Sequence, residues 1–288
     1  MREHAHSELL RKRRGKENCK PRAGAIGVFL LAFVLAWFSS AGAVFALSSE
    51  TRGEGDPGVE AFSWGFKKAK GGNPPSIDEE GFRDLVERFG ARFYDPSGKK
   101  VVYLTFDNGY ENGYTARILD VLREKDVPAA FFVTGHYVKS QPELVRRMAQ
   151  EGHIVGNHSY RHPDMSRMSA AEIRADLEKL NAAVREVVPG AEIRFFRPPR
   201  GIFDEKTLAT ARDLGMTTVF WSIAYKDWDP KVVHGGDHAV RQVLEQLHPG
   251  AVILLHSVSR DNAEGLPRII DAVRAQGYTF RSLDEWGK

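Results

Sequence analysis

From about residue 76 onward, apolar and polar residues follow one another in blocks that have the lengths of strands and helices. The runs Val101–Phe106 and Ala129–Val133 show little alternation, which predicts strands buried on both faces. Between them, Thr115–Lys125 places apolar residues at helical spacing and predicts an amphipathic helix. Repeated strand–helix units of this kind favour an α/β fold, with a mostly parallel sheet and helices outside it.

The same patterns predict the remaining elements. Further strands are expected at Ile154–Val155, Phe195–Phe196, Thr217–Trp221, Ala251–Leu255 and Thr279–Arg281. Further helices are expected at Glu80–Arg88, Pro142–Gln150, from the capping box at Ser169 to about Val187, Asp204–Leu214, Ala239–Leu247 and Leu266–Gln276. Six or seven strands in about 190 residues fit a small or incomplete barrel better than an eight-unit barrel.

The N-terminal part differs from the rest of the chain in charge and hydropathy. Residues 1–22 hold eight of the 41 Lys and Arg residues and three Glu, so the net charge of +3 comes from this tail. Residues 23–49 contain no charged residue, and this run is longer than the roughly 20 residues that span a bilayer. Two interpretations follow: a signal peptide cleaved after Val44–Ala46, or a retained anchor with a cytoplasmic tail over 1–22. We favour the anchor.

Either interpretation places the rest of the chain outside the cytoplasmic membrane, anchored there or secreted. Residues 50–75 are rich in Gly, Ser and Pro and predict a linker, in which Phe62, Trp64 and Phe66 are candidates for packing on the globular domain at 76–288. The single cysteine, Cys19, precedes the apolar run, so the exported part has no disulfide. The 33 basic and 35 acidic residues from position 23 onward give no indication of nucleic-acid binding. We expect a monomer.

Polar residues follow the C-terminal ends of several predicted strands, the edge at which the active sites of α/β barrels form. They are Asp107 and Asn108, His158 and His162, Arg197, Asp227 and His256. The two histidines His158 and His162 are four residues apart, which places both imidazoles on one face of a helical turn and within reach of one metal ion. With a nearby carboxylate or amide oxygen they would form a three-ligand site with open positions.

Asp107 and His256 are candidates for a base and an acid. A guanidinium from Arg197 would keep the Asp107 carboxylate ionised and oriented. A carboxylate from Asp227 would hold His256 as imidazolium, the form that a general acid needs. Exposed beside such a site, Trp228 would offer a face for stacking against a sugar.

Each of these residues also has a simpler interpretation. Asp107, Asn108 and Gly109 are typical of a turn, and a histidine at a strand end is often structural. The convergence of several segments on one edge favours the active-site interpretation. The remaining histidines of the exported part are interpreted as structural, and no metal is assigned to the His234 and His238 pair: His136, His153, His234, His238 and His248.

These motifs resemble, in order, those of the polysaccharide deacetylase family, also called NodB-homology proteins or family-four carbohydrate esterases. The matching segments are Thr105–Asn108, His158–His162, Arg197–Arg200, Asp227–Trp228 and the strand that ends at His256. The resemblance covers about residues 98–285. It implies a distorted (β/α)7 barrel of NodB-homology type and metal-assisted hydrolysis of an N-acetyl group on a sugar. The metal would be a divalent ion: Zn, Mn, Mg or Ca.

The resemblance also implies a role for each matching residue. It implies catalytic roles for Asp107, His256, Arg197 and Asp227 and metal ligation by His158, His162 and, at the position of the family's aspartate ligand, Asn108. Candidates for substrate binding are Arg200, Trp228 and Tyr110. Two residues depart from the family pattern. Asn108 replaces an aspartate and removes one negative charge, so we expect weaker or different divalent-ion binding. Arg200 replaces an aromatic residue and adds positive charge where the substrate enters.

Both departures resemble the subgroup that makes muramic δ-lactam in spore cortex. The implied substrate is N-acetylmuramic acid in peptidoglycan that has lost its peptide, and its lactyl carboxylate would pair with Arg200. The implied partner is the glycan strand, in the bacterial envelope or the forespore intermembrane space. Two alternatives remain: deacetylation of N-acetylglucosamine in peptidoglycan or chitin-like glycans, and a non-catalytic protein that binds wall glycan after losing its metal.

Overall fold

The computed structural model describes residues 60–65 and 68–288. The predicted cytoplasmic tail, the signal or anchor segment, residues 50–59 of the predicted linker and Phe66 lie outside the described residues. Within the described part, no helix has both the length and the apolar character needed to cross a membrane.

The described residues form one main parallel sheet with helices packed against it. The strands are β1 Phe62–Ser63, β2 Val101–Asn108, β3 Ala129–Val133, β4 Ile154–Asn157, β5 Phe195–Phe196, β6 Ile202–Phe203, β7 Thr217–Thr218, β8 Ala251–His256 and β9 Thr279–Phe280. The 7-stranded sheet has the order β7-β5-β4-β3-β2-β8, and β9 also pairs with β2. The short strands β1 and β6 form a separate antiparallel pair.

The helices occupy most of the connections between strands. They are α1 Arg83–Arg88, α2 Thr115–Glu124, α3 Gly135–Ser140, α4 Pro142–Gln150, α5 Ala170–Val187, α6 Glu205–Asp213, α7 Gly236–Leu244 and α8 Arg260–Ala275. The strand–helix alternation predicted from the sequence is confirmed, and the Ser169 capping box opens α5. The sequence reading missed α3 and the small β1–β6 pair.

Three predicted helices have the wrong boundaries. The last helix is predicted to start at Leu266. Instead α8 starts at Arg260, where the Ser259 side chain accepts the N–H of Asn262, and Pro267 lies inside the helix. Helix α7 covers Gly236–Leu244 instead of the predicted Ala239–Leu247, and α1 starts at Arg83, three residues after its predicted start at Glu80.

The segment after β6 and α6 closes the curled sheet into a distorted barrel. Thr217 and Thr218 pair with β5 at one edge of the sheet. The chain then crosses to the other edge, where Ile223 forms a parallel bridge to Ile253 of β8. The predicted strand Thr217–Trp221 is therefore only two residues long, because the chain leaves one edge to join the other. The barrel fold expected from the sequence is confirmed.

The side-chain alternation of the strands separates two apolar layers and aims residues into the barrel. On β2, Val102 and Leu104 pack in the layer under the helices, whereas Val101 and Tyr103 belong to the inner cluster. Because side chains alternate with a period of two, Asp107 continues the inward series at the C-terminal end of β2. This position places the Asp107 carboxylate at the mouth of the barrel.

The segment before the barrel packs on the inner cluster through aromatic side chains. The ring of Trp64 stacks on Phe220 with 4.2 Å between ring centroids, and its Nε1 donates to the Trp221 carbonyl at 2.9 Å. The Trp64 N–H also donates to the Gly201 carbonyl at 2.8 Å. Phe62 packs against the same cluster. The predicted docking of Phe62 and Trp64 is confirmed.

We predict that Trp64→Ala destabilises the domain by about 3–5 kcal/mol, the usual range for truncating a buried tryptophan. Trp64 is 5% exposed, so the change leaves a cavity and also removes the Nε1 hydrogen bond. Urea unfolding measures the loss. The control is Val232→Ala, because Val232 is 42% exposed and its truncation should change the free energy of unfolding by less than about 0.5 kcal/mol. Equal stability of both variants would contradict the packing role of Trp64.

Candidate active site

A cavity of about 690 Å³ lies at the C-terminal ends of the strands. Seven of the ten residues predicted for the site line it: Asp107, Tyr110, His158, His162, Arg200, Trp228 and His256. The other three, Arg197, Asp227 and Asn108, are buried directly behind its wall. The structure therefore brings together all the segments that the sequence placed at strand ends.

The fully buried guanidinium of Arg197 fixes the predicted base, Asp107. Its Nη1 donates to Asp107 Oδ1 at 2.8 Å, and its Nη2 donates to Thr105 Oγ1 at 3.0 Å. Backbone carbonyls of Val219 and Phe220 accept two further hydrogen bonds from it. Burial is the largest single influence and would raise the pKa of Asp107, but the charge and hydrogen bond of Arg197, with contributions from the neighbouring histidines, together outweigh it and hold that pKa below its ordinary value. The carboxylate is thus ionised and ready to accept a proton.

The predicted acid, His256, is held by a second buried carboxylate. Its Nδ1 lies 2.7 Å from Asp227 Oδ1, and its backbone N–H donates to Asp227 Oδ2 at 2.8 Å. Asn262 Nδ2 also donates to Asp227 Oδ2, and the Tyr225 hydroxyl donates to Asn262 Oδ1. Burial is the largest single influence and opposes the charged imidazole, but the charge and hydrogen bond of Asp227 and the charge of Asp107 together outweigh it and raise the pKa of His256. His256 therefore carries a proton to higher pH than an ordinary histidine does.

Asn262 and Tyr225 take part in this network although the sequence analysis did not identify them. Asn262 lies in the first turn of α8, a helix whose start was placed too late. With the true start at Arg260, the N-terminal turn of α8 would have been expected beside the end of β8. No local motif marks Tyr225.

The base and the acid lie side by side in the sheet. Asp107 of β2 and His256 of β8 are register partners in neighbouring parallel strands. Both point inward because of the same strand alternation. A substrate group in the cavity can therefore contact a proton acceptor and a proton donor at once.

The two predicted metal ligands meet, but not on a helical turn. The ring centroids of His158 and His162 are 4.9 Å apart. The prediction of a helical turn is wrong, because Ser159 and His162 have φ values of 66° and 57° and the segment is a loop. Side-chain bonds hold this strained backbone: Ser159 N–H donates to Asn157 Oδ1, and His162 N–H donates to Ser159 Oγ, both at 2.8 Å.

The protonation of both imidazoles fits a metal site. His158 Nδ1 lies 2.8 Å from the Arg197 carbonyl, which can only accept a hydrogen bond, so Nδ1 carries the proton and Nε2 is free to bind. Burial lowers the pKa of His158 and lowers that of His162 to about 4. Neutral imidazole is the form that binds metal. Among the described residues, no group of three or more His, Cys, Asp or Glu is placed to hold a metal ion, so a third ligand must come from elsewhere.

Asn108 is the predicted third ligand, and its amide lies behind the cavity wall. It is fully buried, and its Oδ1 accepts a hydrogen bond from Ser257 Oγ at 3.2 Å. A carbonyl oxygen has two lone pairs, so this bond leaves one for a metal. Its Nδ2 has no hydrogen-bond partner among the described residues. The ligand role of Asn108 stays a prediction.

The predicted substrate-binding residues form the outer wall of the cavity. Tyr110 and Trp228 are 42% and 40% exposed. Arg200 is exposed on a tight turn, with a φ of 58°. His136, interpreted as structural from the sequence, also lines this cavity. In contrast, His248 is a structural histidine as expected, since Ser222 and its own chain satisfy both ring nitrogens.

Comparison with known proteins identifies the family. The polysaccharide deacetylase family model matches residues 94–219. The peptidoglycan-N-acetylmuramic acid deacetylase PdaA of Bacillus subtilis is 45% identical over 226 residues, 78% of this chain and 86% of that protein. Its solved structure, named as a family 4 carbohydrate esterase, superposes with a TM-score of 0.76 and covers 79% of this chain and 97% of that one.

This chain belongs to the polysaccharide deacetylase family.

A second relative widens the range of substrates within the family. A peptidoglycan-N-acetylglucosamine deacetylase of Bacillus cereus is 35% identical over 202 residues, 69% of this chain and 72% of that protein. Family 4 carbohydrate esterases are generally metal-dependent. In this deacetylase the cavity combines the predicted base, whose pKa is lowered, the predicted acid, whose pKa is raised, and two imidazoles whose pKa values are lowered by burial.

We predict that Asp227→Asn moves the alkaline limb of kcat/KM to lower pH and lowers the maximal rate by about 10²-fold or more. Asp227 raises the pKa of His256, so without its charge the imidazole loses its proton at lower pH. The measurement is a pH profile of acetate release. Asp229→Asn is the matched control, because Asp229 lies on the same loop, but within the described part of the chain its carboxylate accepts only the Lys231 N–H. An unmoved alkaline limb in Asp227→Asn would remove His256 from the role of acid.

Proposed function

We propose that this deacetylase removes the N-acetyl group from N-acetylmuramic acid in peptidoglycan, as a step towards muramic δ-lactam in spore cortex. The observation that carries the proposal is the exposed cation Arg200 on the wall of the cavity that holds Asp107 and His256. A lactyl carboxylate distinguishes muramic acid from glucosamine, and arginine is the side chain best suited to pair with it. The 45% identity to PdaA supports the same substrate.

The hydrolysis follows from the acid–base pair. A water molecule attacks the acetyl carbonyl carbon while Asp107 accepts its proton. The carbon–nitrogen bond breaks as His256 donates its proton to the departing nitrogen, which leaves acetate and a free amine on the sugar. An amine leaves poorly without that proton, so both groups are needed. A divalent metal held by His158 and His162, with Asn108 as the predicted third ligand, would supply Lewis acidity at the acetyl carbonyl.

Residues 23–49 support an action outside the cytoplasmic membrane. A basic flank before an uncharged apolar segment is typical of export. Kept as an anchor, this segment would hold a monomeric enzyme beside the glycan strands of the envelope or of the forespore intermembrane space. The substrate that we propose, peptidoglycan, lies in these compartments.

A second candidate substrate is N-acetylglucosamine in peptidoglycan or chitin-like glycans. The Bacillus cereus relative, named for that activity, favours it. The same acid–base pair would serve both sugars, so the choice rests on the outer wall of the cavity. A non-catalytic binding protein is the third alternative. The Asp107–Arg197 and His256–Asp227 pairs speak against it, because glycan binding requires neither.

We predict that acetate is released from peptide-free peptidoglycan faster than from peptide-bearing peptidoglycan or chitooligosaccharides. A chelator should lower the rate, and an added divalent ion should restore it. Mass spectrometry of digested muropeptides locates the free amine on muramic acid or on glucosamine. A free amine on glucosamine alone would transfer the proposal to the second substrate. Release equal to that of Asp107→Ala would support the binding protein.

We predict that Arg200→Ala lowers kcat/KM for muramyl glycans by about 10-fold, within the range of lost charge-assisted hydrogen bonds. The kcat/KM for neutral chitooligosaccharides should change much less. Arg200→Lys is the control, since it keeps the cation and the same left-handed backbone. If Arg200→Ala lowers both substrates equally, Arg200 supports the loop and does not select the sugar.

A further inference from the structure

Two lysines from different helices converge on one aromatic ring at the cavity. Lys139 Nζ, from α3, is 5.4 Å from the centroid of the Tyr160 ring. Lys179 Nζ, from α5, is 4.3 Å from the same centroid. Tyr160 lines the cavity beside the histidine loop, and both lysines are exposed. Neither the sequence motifs nor the proposed reaction uses this cluster.

The charge of this cluster is not balanced by a carboxylate in contact with it. Among the described residues, no ion pair of Lys139 or Lys179 is present. The main partner of Lys139 is the Tyr160 side chain, whose hydrogen bond raises the lysine pKa, and Glu186 acts on it at longer range. The buried carboxylate of Asp176 pairs with Arg161 at 2.9 Å. Two ammonium groups beside one ring therefore offer positive charge to an anion.

The ring itself is held in a fixed place. The Tyr160 N–H donates to Asp176 Oδ1 at 2.7 Å, and its carbonyl accepts the Gly135 N–H at 3.1 Å. A Cβ at Gly135 would lie only 2.4 Å from Tyr160 Cδ2, so the ring packs directly on the backbone of α3. One face of the ring is therefore covered by α3, and Lys179 lies over the ring, so Tyr160 holds the lysines in place and is not itself a stacking surface.

We propose that Tyr160, Lys139 and Lys179 form a subsite, here the Tyr160–lysine subsite, for the lactyl carboxylate of a second muramic acid on the same glycan strand. The inference rests on the proposed function, because only a muramyl glycan carries this group. Muramic acid alternates with glucosamine along the strand, so a carboxylate recurs at every second sugar. The lactyl carboxylate binds the two ammonium groups, which their contacts with Tyr160 hold beside the cavity.

The test measures binding rather than turnover, in an Asp107→Asn background that prevents hydrolysis. The probes are a peptide-free tetrasaccharide with two muramic acids and the same glycan with its carboxylates methyl-esterified. The double substitution Lys139→Gln and Lys179→Gln should weaken binding of the free-acid glycan by about 10-fold, as expected for two exposed ion pairs. Binding of the ester should stay the same. Esterification also removes the contact of the glycan with Arg200. Combining the lysine substitution with esterification in one double-mutant-type cycle therefore separates the contribution of the lysines to binding from that of Arg200.

Lys100→Gln is the matched control. Lys100 Nζ lies 5.4 Å from the Tyr278 ring, so the same contact is lost, but Lys100 precedes β2 at the end opposite to Asp107. This variant should bind both glycans like the parent protein. Thermal unfolding of all variants verifies that they are folded.

Two results would overturn the Tyr160–lysine subsite. One is unchanged binding of the free-acid glycan by the folded double variant. The other is competition by linear polyphosphate as strong as that by the glycan and equally dependent on the lysines, which would show a general anion patch. Product analysis keeps the two proposals apart: a free amine on glucosamine alone contradicts the proposed function, while lysine-dependent binding of the free acid still supports the subsite.

Discussion

The buried ion pair of Arg197 and Asp107 is the interaction on which the rest of the site depends. Removing two charges from water is expensive, and such a pair persists only when further hydrogen bonds satisfy it. Arg197 finds them in the carbonyls of Val219 and Phe220, on the segment that closes the barrel. Its own carbonyl orients His158. One residue thus links barrel closure, an ionised base and a ligand-ready imidazole, so a change that loosens the closing segment would disturb all three.

The acid is built by the opposite electrostatic arrangement. A cation depresses the pKa of Asp107, whereas an anion raises the pKa of His256, and both groups lie in the same cavity. Two neighbouring groups whose environments separate their pKa values in this way can act as base and acid at one pH. Asn262 donates to Asp227 and to the His256 carbonyl, and so fixes the carboxylate relative to the imidazole. The orientation of His256, the predicted acid, therefore depends on α8. The orientation of Asp107, the predicted base, depends through Arg197 on the segment that closes the barrel.

Much of this arrangement was predictable because it repeats along the chain. Apolar strands, helical spacing and the polar residues at strand ends are local patterns, and they located Asp107, Arg197 and His256 correctly. Contacts between distant segments were not predictable in this way. The histidine loop adopts positive φ values because Asn157 and Ser159 bond its backbone, which no spacing rule indicates. The convergence of Lys139 and Lys179 on Tyr160 requires two helices to meet and has no signature in either.

The charges of the cavity argue for an anionic substrate. Inside it, Asp107 is balanced by Arg197 and Asp227 by His256, while His158 is neutral. Asn108 contributes no charge where the family pattern has a carboxylate. Among the described residues that line the cavity, Asp107 is the one carboxylate, and the exposed wall adds cations. In such a cavity a neutral glycan leaves the positive charge unbalanced, whereas a glycan with carboxylates brings its own counter-charge. The loss of the aspartate and the gain of cations thus favour the same class of substrate.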